Sequence, residues 1–182
     1  MEKNGRKNLK VIGQEVEGKK PEEVKAYHKV FWQKYKEINE YEKMIENIER
    51  GEERIKKQNE ISETINDKVS QYNNPLLQLK INYPNGKGKY FTEEEDKFLV
   101  VMMDKYGYNN DDSYDKIRDE IRKLPQFRFN WFFKSRSPLE ISRRCTFLVN
   151  NLLRERNEQI ELEKIGKVIN NRIKDYCILI HY

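Results

Sequence analysis

Pro125-Gln-Phe-Arg-Phe-Asn-Trp-Phe-Phe-Lys-Ser-Arg-Ser137, running straight into Pro138-Leu-Glu-Ile-Ser-Arg-Arg144, is the stretch that decides how this chain folds. Five aromatics (Phe127, Phe129, Trp131, Phe132, Phe133) lie among three cations (Arg128, Lys134, Arg136), with no carboxylate between them. Aromatics interleaved with Arg and Lys suit a segment that packs one side on a core and offers the other to phosphates. A core-packing loop with merely solvated cations has the same composition. Ser137 then reads as a helix cap, with Pro138 at the first helical position and Glu140 closing a capping box. Ile141, Cys145, Leu148 and Leu152 follow at i, i+4, i+7 and i+11, which marks the buried face of that helix.

Turning about 100° per residue from Ile141 places Arg143, Phe147, Asn150 and Arg154 on the opposite face, with Arg144 on a flank. Two more helices precede it. Thr92 and Glu95 form a capping box, Phe98, Leu99, Met102, Met103 and Tyr106 make an inward stripe, and Gly107 fits the stop. A second helix is predicted from about Asp112 to Lys123, with Tyr114, Ile117, Ile121 and Leu124 inward. An outward cationic stripe on the last helix of a three-helix unit is how helix-turn-helix relatives meet DNA. The aromatics of the 125–137 stretch are then expected mainly to anchor it on the core. Lys134 and Arg136 would extend the cationic face.

Charge is unevenly placed. From Thr92 to Glu120 there are ten acids against four bases, and from Arg122 to Arg156 nine bases against two acids. The basic half can face a polyanion. Over all 182 residues, 37% are charged and the net charge is +5, a polarity that suits long exposed helices better than one large core. Two cysteines, Cys145 and Cys177, make neither a disulfide framework nor a metal spacing, which fits a reducing compartment. No signal peptide and no apolar run of transmembrane length is present, so a soluble intracellular protein is expected.

Upstream, Leu9, Val11, Ile12 and Val16 give a short apolar pattern ended by Gly18. Pro21-Glu-Glu opens a helix whose face would hold Val24, Tyr27, Phe31, Tyr35 and Ile38. From Glu40 to Tyr72 a thin apolar stripe runs along a charged rod of about 50 Å. Its spacing drifts from a strict heptad, favouring a rigid spacer over half of a coiled coil. Asn73-Asn-Pro75 stops it, and a turn-rich linker follows with Lys87 and Lys89. Gly86-Lys87-Gly88 lacks the earlier glycine and the Ser/Thr of a phosphate loop.

With these residues in place, the chain resembles the C-terminal region of ISWI-type chromatin-remodelling ATPases over roughly residues 10–165. Glu15-Val-Glu-Gly-Lys-Lys-Pro through Phe31-Trp32 is similar to the end of the family's SANT domain, and Ile48-Glu-Arg-Gly-Glu sits where its spacer helix runs. Phe91-Thr-Glu-Glu-Glu-Asp-Lys-Phe-Leu, Pro125–Ser137 and Glu140-Ile-Ser-Arg-Arg-Cys145 resemble the SLIDE domain, a Myb-like three-helix module. The resemblance implies an all-α fold: a partial SANT domain over 1–38, a spacer helix over 39–74, a linker over 75–90, SLIDE over 91–160 and an unassigned tail over 161–182. It further implies a nuclear, non-catalytic platform that binds duplex linker DNA and nucleosomes and supports sliding and spacing. The family's ATPase motor lies upstream of this region.

Lys134, Arg136, Arg143, Arg144 and Arg154 are the expected phosphate contacts, supported by Arg128, Lys87 and Lys89. Five contacts predict a log-log salt slope of about −4 to −5. The alternative is an interaction module for histone tails or accessory subunits, for which Glu93, Glu94, Glu95 and Asp96 offer an acidic cluster, although acids also suit a helix N-terminus. No nucleophile–base pair, metal cluster or cofactor motif stands out, and Cys145 falls on a buried stripe.

Overall fold

A computed structural model describes residues 2–88 and 90–180, with side chains described as far as residue 169. Lys89 lies outside the described residues, as do the side chains of the apolar tail, Cys177 among them. The chain is all-α, and no strand occurs among the described residues. Among the described residues eight α-helices follow in order: α1 (Leu9–Glu15), α2 (Pro21–Lys34), α3 (Tyr41–Ser70), α4 (Pro75–Gln78), α5 (Glu93–Tyr106), α6 (Ser113–Lys123), α7 (Trp131–Lys134) and α8 (Pro138–Ile180). They divide into two compact units, Met1–Glu60 and Ile61–Tyr182, and α3 belongs to both. No helix among the described residues is long and apolar enough to cross a membrane.

In the first unit, Pro21 opens α2 and the Glu23 carboxylate accepts the Lys20 N–H at 3.0 Å. Val24 and Phe31 are buried but Tyr27 is 68% exposed, and α2 ends at Lys34, which leaves Tyr35 in a 3-10 turn and Ile38 beyond it, so the apolar face of α2 is narrower and shorter than the periodicity suggests. α1 is only seven residues long and buries none of its own side chains, too little to cover a full stripe. The first turns of α3 pack Ile48 inward, and the Arg6 guanidinium grips Glu52 with an Nη2–Oε2 distance of 2.8 Å. Gly51 sits in the middle of this helix because the Glu2 carbonyl comes against it; a Cβ there would collide with backbone.

In the second unit, the capping boxes define the ends. Thr92 Oγ1 accepts the Glu95 N–H at 3.2 Å, and Glu95 returns by accepting the Thr92 N–H at 2.8 Å. Ser137 and Glu140 do the same at the start of α8. Gly107 ends α5 at φ 83°, a conformation that favours glycine. Ile141, Cys145 and Leu148 are wholly buried and Leu152 nearly so, against Phe98, Leu99, Met103, Ile117 and Ile121.

This core reaches further back than residue 91. Ile65 of α3 is 2% exposed and Leu79, just after α4, is fully buried, with Ile61, Val69 and Tyr72 packed alongside. Lys68 meets Glu155 of α8 at 2.6 Å, and Arg156 donates to Thr64 at 2.7 Å. The last turns of α3 are therefore part of the second unit's core. At the other end, α8 continues as helix to Ile180, past the point where its sequence shows a clear face.

The 125–137 stretch also differs from expectation. Phe127 and Phe133 are buried and pack edge-on with Phe98, but Phe129 is 83% and Trp131 81% exposed. The segment is a 3-10 turn (Pro125–Phe127) followed by the four-residue α7. Asn130 caps α7 by accepting the Phe133 N–H at 2.9 Å, and it donates to Glu95 at 2.5 Å. With its ends fixed by Phe127 and Phe133, the turn carries Phe129 and Trp131 outward.

Candidate nucleic-acid interface

The outer face of α8 is built by helical spacing. Arg143, Asn150 and Arg154 are exposed, and Phe147 between them is half-buried against the rim of the core. Neither Arg143 nor Arg154 takes part in an ion pair among the described residues. Both guanidinium groups keep their donors for an incoming acceptor.

Arg144 differs from these two in being engaged by an acid within the unit. On the flank of the helix it turns inward to Asp96 of α5, with Nε–Oδ1 2.8 Å and Nη2–Oδ2 2.6 Å. Its side chain is 10% exposed and that of Asp96 is fully buried. The guanidinium lies 4.8 Å over the Phe91 ring and 4.6 Å from that of Phe147. Two of its five N–H donors are spent on Asp96, and the side chain is held between two aromatic faces rather than extended toward solvent. Asp96 also accepts the Tyr83 hydroxyl at 2.7 Å. Burial and that hydrogen bond push the Tyr83 phenol well above the ordinary tyrosine range.

This network holds the 75–90 linker against α8. At Gly88 a Cβ would stand 3.7 Å from Arg144 Nη1, so the linker passes over the ion pair, and Lys87 beside it is half-buried. The contacts of Asp96 with Arg144 and with Tyr83 escape sequence reading because they span 48 and 13 residues, beyond any helical period.

Arg136 is likewise committed locally. Its Nη1 meets Glu140 Oε1 at 2.5 Å, its Nε donates to the Phe132 carbonyl at 3.0 Å, and its guanidinium lies 4.4 Å over the Phe132 ring. Glu140 is held below the usual carboxylate range, first by the Ser137 N–H and hydroxyl and then by Arg136. Arg136, Arg143 and Arg144 do line one groove together with Tyr90, Phe132 and Phe147. Of these three arginines, only Arg143 makes no ion pair among the described residues. Lys134 is half-buried at the end of α7, and Arg128 is exposed with its guanidinium 5.5 Å over the Phe129 ring.

Two of the four acids expected to attract basic tails are spent inside the unit. Glu95 is 2% exposed in its capping box and Asp96 is fully buried, which leaves Glu93 and Glu94 on the surface. Cys145 is also fully buried, and burial pushes its thiol far above the ordinary range. Among the described residues no group of three or more His, Cys, Asp or Glu could hold a metal ion.

Comparison with known proteins agrees with this architecture. The SLIDE family model matches residues 42–156, a span that includes the end of α3 and all of the ion-pair network. The human "SWI/SNF-related matrix-associated actin-dependent regulator of chromatin subfamily A member 1" is 43% identical over 166 residues, 91% of this chain and 16% of that protein. The Arabidopsis thaliana "ISWI chromatin-remodeling complex ATPase CHR17" is 45% identical over 163 residues, 90% of this chain and 15% of its own length. The Saccharomyces cerevisiae "ISWI chromatin-remodeling complex ATPase ISW1" is 41% identical over 169 residues, again 15% of that protein. The chain thus spans about one-sixth of the length of the curated relatives it matches. With the match running across the whole helical core that carries the α8 face, this chain belongs to the SLIDE family and is similar to ISWI-type chromatin-remodelling ATPases.

Proposed function

We propose that this chain is a DNA-binding region of an ISWI-type chromatin remodeller, making largely sequence-independent contacts with duplex linker DNA and nucleosomes in the nucleus. The observation that carries the reading is the outer face of α8, where Arg143 and Arg154 stand exposed and without ion-pair partners on a helix anchored by four buried residues. Lys87, next to the Gly88 that approaches Arg144, and Lys134 at the end of α7 would add to it. Four such cations, reading phosphate rather than base edges, give affinity with little sequence discrimination. Arg144 and Arg136 serve instead to hold the linker and the start of α8 in place behind that face.

A platform of this kind hydrolyses nothing by itself. Its part in sliding and spacing is to hold extranucleosomal DNA, with the motor supplied by another region of a longer protein. Direct binding of a labelled duplex to the chain and to an Arg143→Glu, Arg154→Glu variant, measured across a range of salt, tests the assignment.

A further inference from the structure

The most exposed aromatic side chains among the described residues of the second unit lie off the α8 face. Phe129 and Trp131 lie 83% and 81% open to solvent on the segment between α6 and α8. Their neighbours Phe127 and Phe133 are buried, so the outward pair is held on a rigid base. Large rings left fully open beside a well-packed core mark an interaction surface.

The charge around the pair is of one sign. Between Glu120 and Glu140 there is no carboxylate, while Arg122, Lys123 and Arg128 are all exposed and make no ion pair among the described residues. Arg128 is stacked on the Phe129 ring, which joins cation and aromatic in one contact surface. The end of α6, with Arg122 and Lys123, runs through Pro125–Phe127 directly into this segment, and α6 packs on α7.

We propose that Trp131, Phe129 and Arg128 form a docking site for an acidic amphipathic peptide segment of a partner protein, one that sets a leucine or phenylalanine between carboxylates. Trp, Phe and Arg are enriched at the centres of protein interfaces, where the rings fill apolar pockets and the guanidinium meets a carboxylate. Duplex DNA fits the pair poorly. Its phosphates give a ring nothing to pack against, and a wedge between base steps must first unstack them. A basic histone tail would be repelled by the three cations.

The test uses the 182-residue chain and fluorescence anisotropy with three labelled probes. These are a 15-residue peptide with Asp and Glu on one helical face and Leu and Phe on the other, the same peptide with Lys for every acid, and a 20-base-pair duplex. Trp131→Ala and Phe129→Ala are the variants. Both positions are exposed, so thermal melting should be unchanged and a folding defect is excluded directly. The acidic peptide is expected to bind, the lysine peptide to bind at least tenfold more weakly, and each variant to lose about tenfold or more in acidic-peptide affinity while duplex affinity stays within twofold. The proposal is overturned if the acidic peptide does not bind, if both peptides bind alike, if neither variant changes peptide affinity, or if the variants weaken duplex binding instead.

Discussion

Arg144 on α8 and Asp96 on α5 form a two-point ion pair, 2.8 and 2.6 Å, across 48 residues of sequence, with the carboxylate wholly buried. It fastens the helix that carries the outer cations to the helix that opens the bundle. Removing one partner leaves the other charge buried and alone, so Asp96→Ala should cost about 3–5 kcal/mol of stability. Arg144→Lys keeps the charge but loses the fork, and should also destabilise. Chemical denaturation of the three proteins checks this. A neutral effect of Asp96→Ala would mean the pair contributes nothing to the fold.

Asn130 links two elements through one amide, capping α7 and bonding Glu95 of the α5 capping box. Asn130→Ala removes both, and a loss of about 1–2 kcal/mol is expected. Thr92→Ala removes only one hydrogen bond of the same box, and should cost about 1 kcal/mol. Thermal melting would rank the two, with Asn130→Ala the lower.

Ile65 sits on α3 yet belongs to the second unit's core at 2% exposure. Ile65→Ala should cost about 2–5 kcal/mol. For the same reason a fragment beginning at residue 73 should be markedly less stable than one beginning at residue 61. Equal denaturation midpoints for the two fragments would remove α3 from the core.

Alkali should weaken the second unit. Burial raises the Cys145 thiol and the Tyr83 phenol, and it pushes Tyr114 up to about 12. In each case the fold favours the protonated form, so the folded chain keeps protons that the unfolded chain releases. Stability is therefore full below the unfolded values, about 8.5 for cysteine and about 10 for tyrosine, and falls as pH rises past them toward the folded ones. Urea midpoints measured from pH 7 to 11 should hold steady to about pH 8 and then decline. Tyr83→Phe should flatten part of that decline while lowering stability at neutral pH, because Asp96 loses a donor.

What was legible in the sequence was local. Thr92 with Glu95 and Ser137 with Glu140 announce helix starts within four residues, and Ile141, Cys145, Leu148 and Leu152 announce a buried face by period alone. The helices of the second unit followed from these, whereas the SLIDE kinship rested on the resemblance of Phe91–Leu99, Pro125–Ser137 and Glu140–Cys145 to that family. The candidate site was legible only in part, because helical angle separates outward from inward but does not say what a flanking residue meets. Arg143 and Arg154 lie outward as the angle requires. Arg144, one step round the helix, is claimed by a carboxylate 48 residues away. Phe129 and Trp131 have no helical period to orient them, since a 3-10 turn and a one-turn helix set their directions. Composition could not separate them from Phe127 and Phe133. The last turns of α3 read as exposed rod because their stripe is thin, yet Ile65 is covered by residues from distant helices.

The most direct test of the central claim is the salt dependence of duplex binding by the 182-residue chain, compared with the Arg143→Glu, Arg154→Glu variant. Four phosphate contacts predict a slope of log K against log salt of about −3 to −4. The variant should lose about two units of that slope and at least about tenfold in affinity near 150 mM salt, with an unchanged melting temperature. An unchanged slope and affinity in a folded variant would contradict the assignment of the α8 face to DNA.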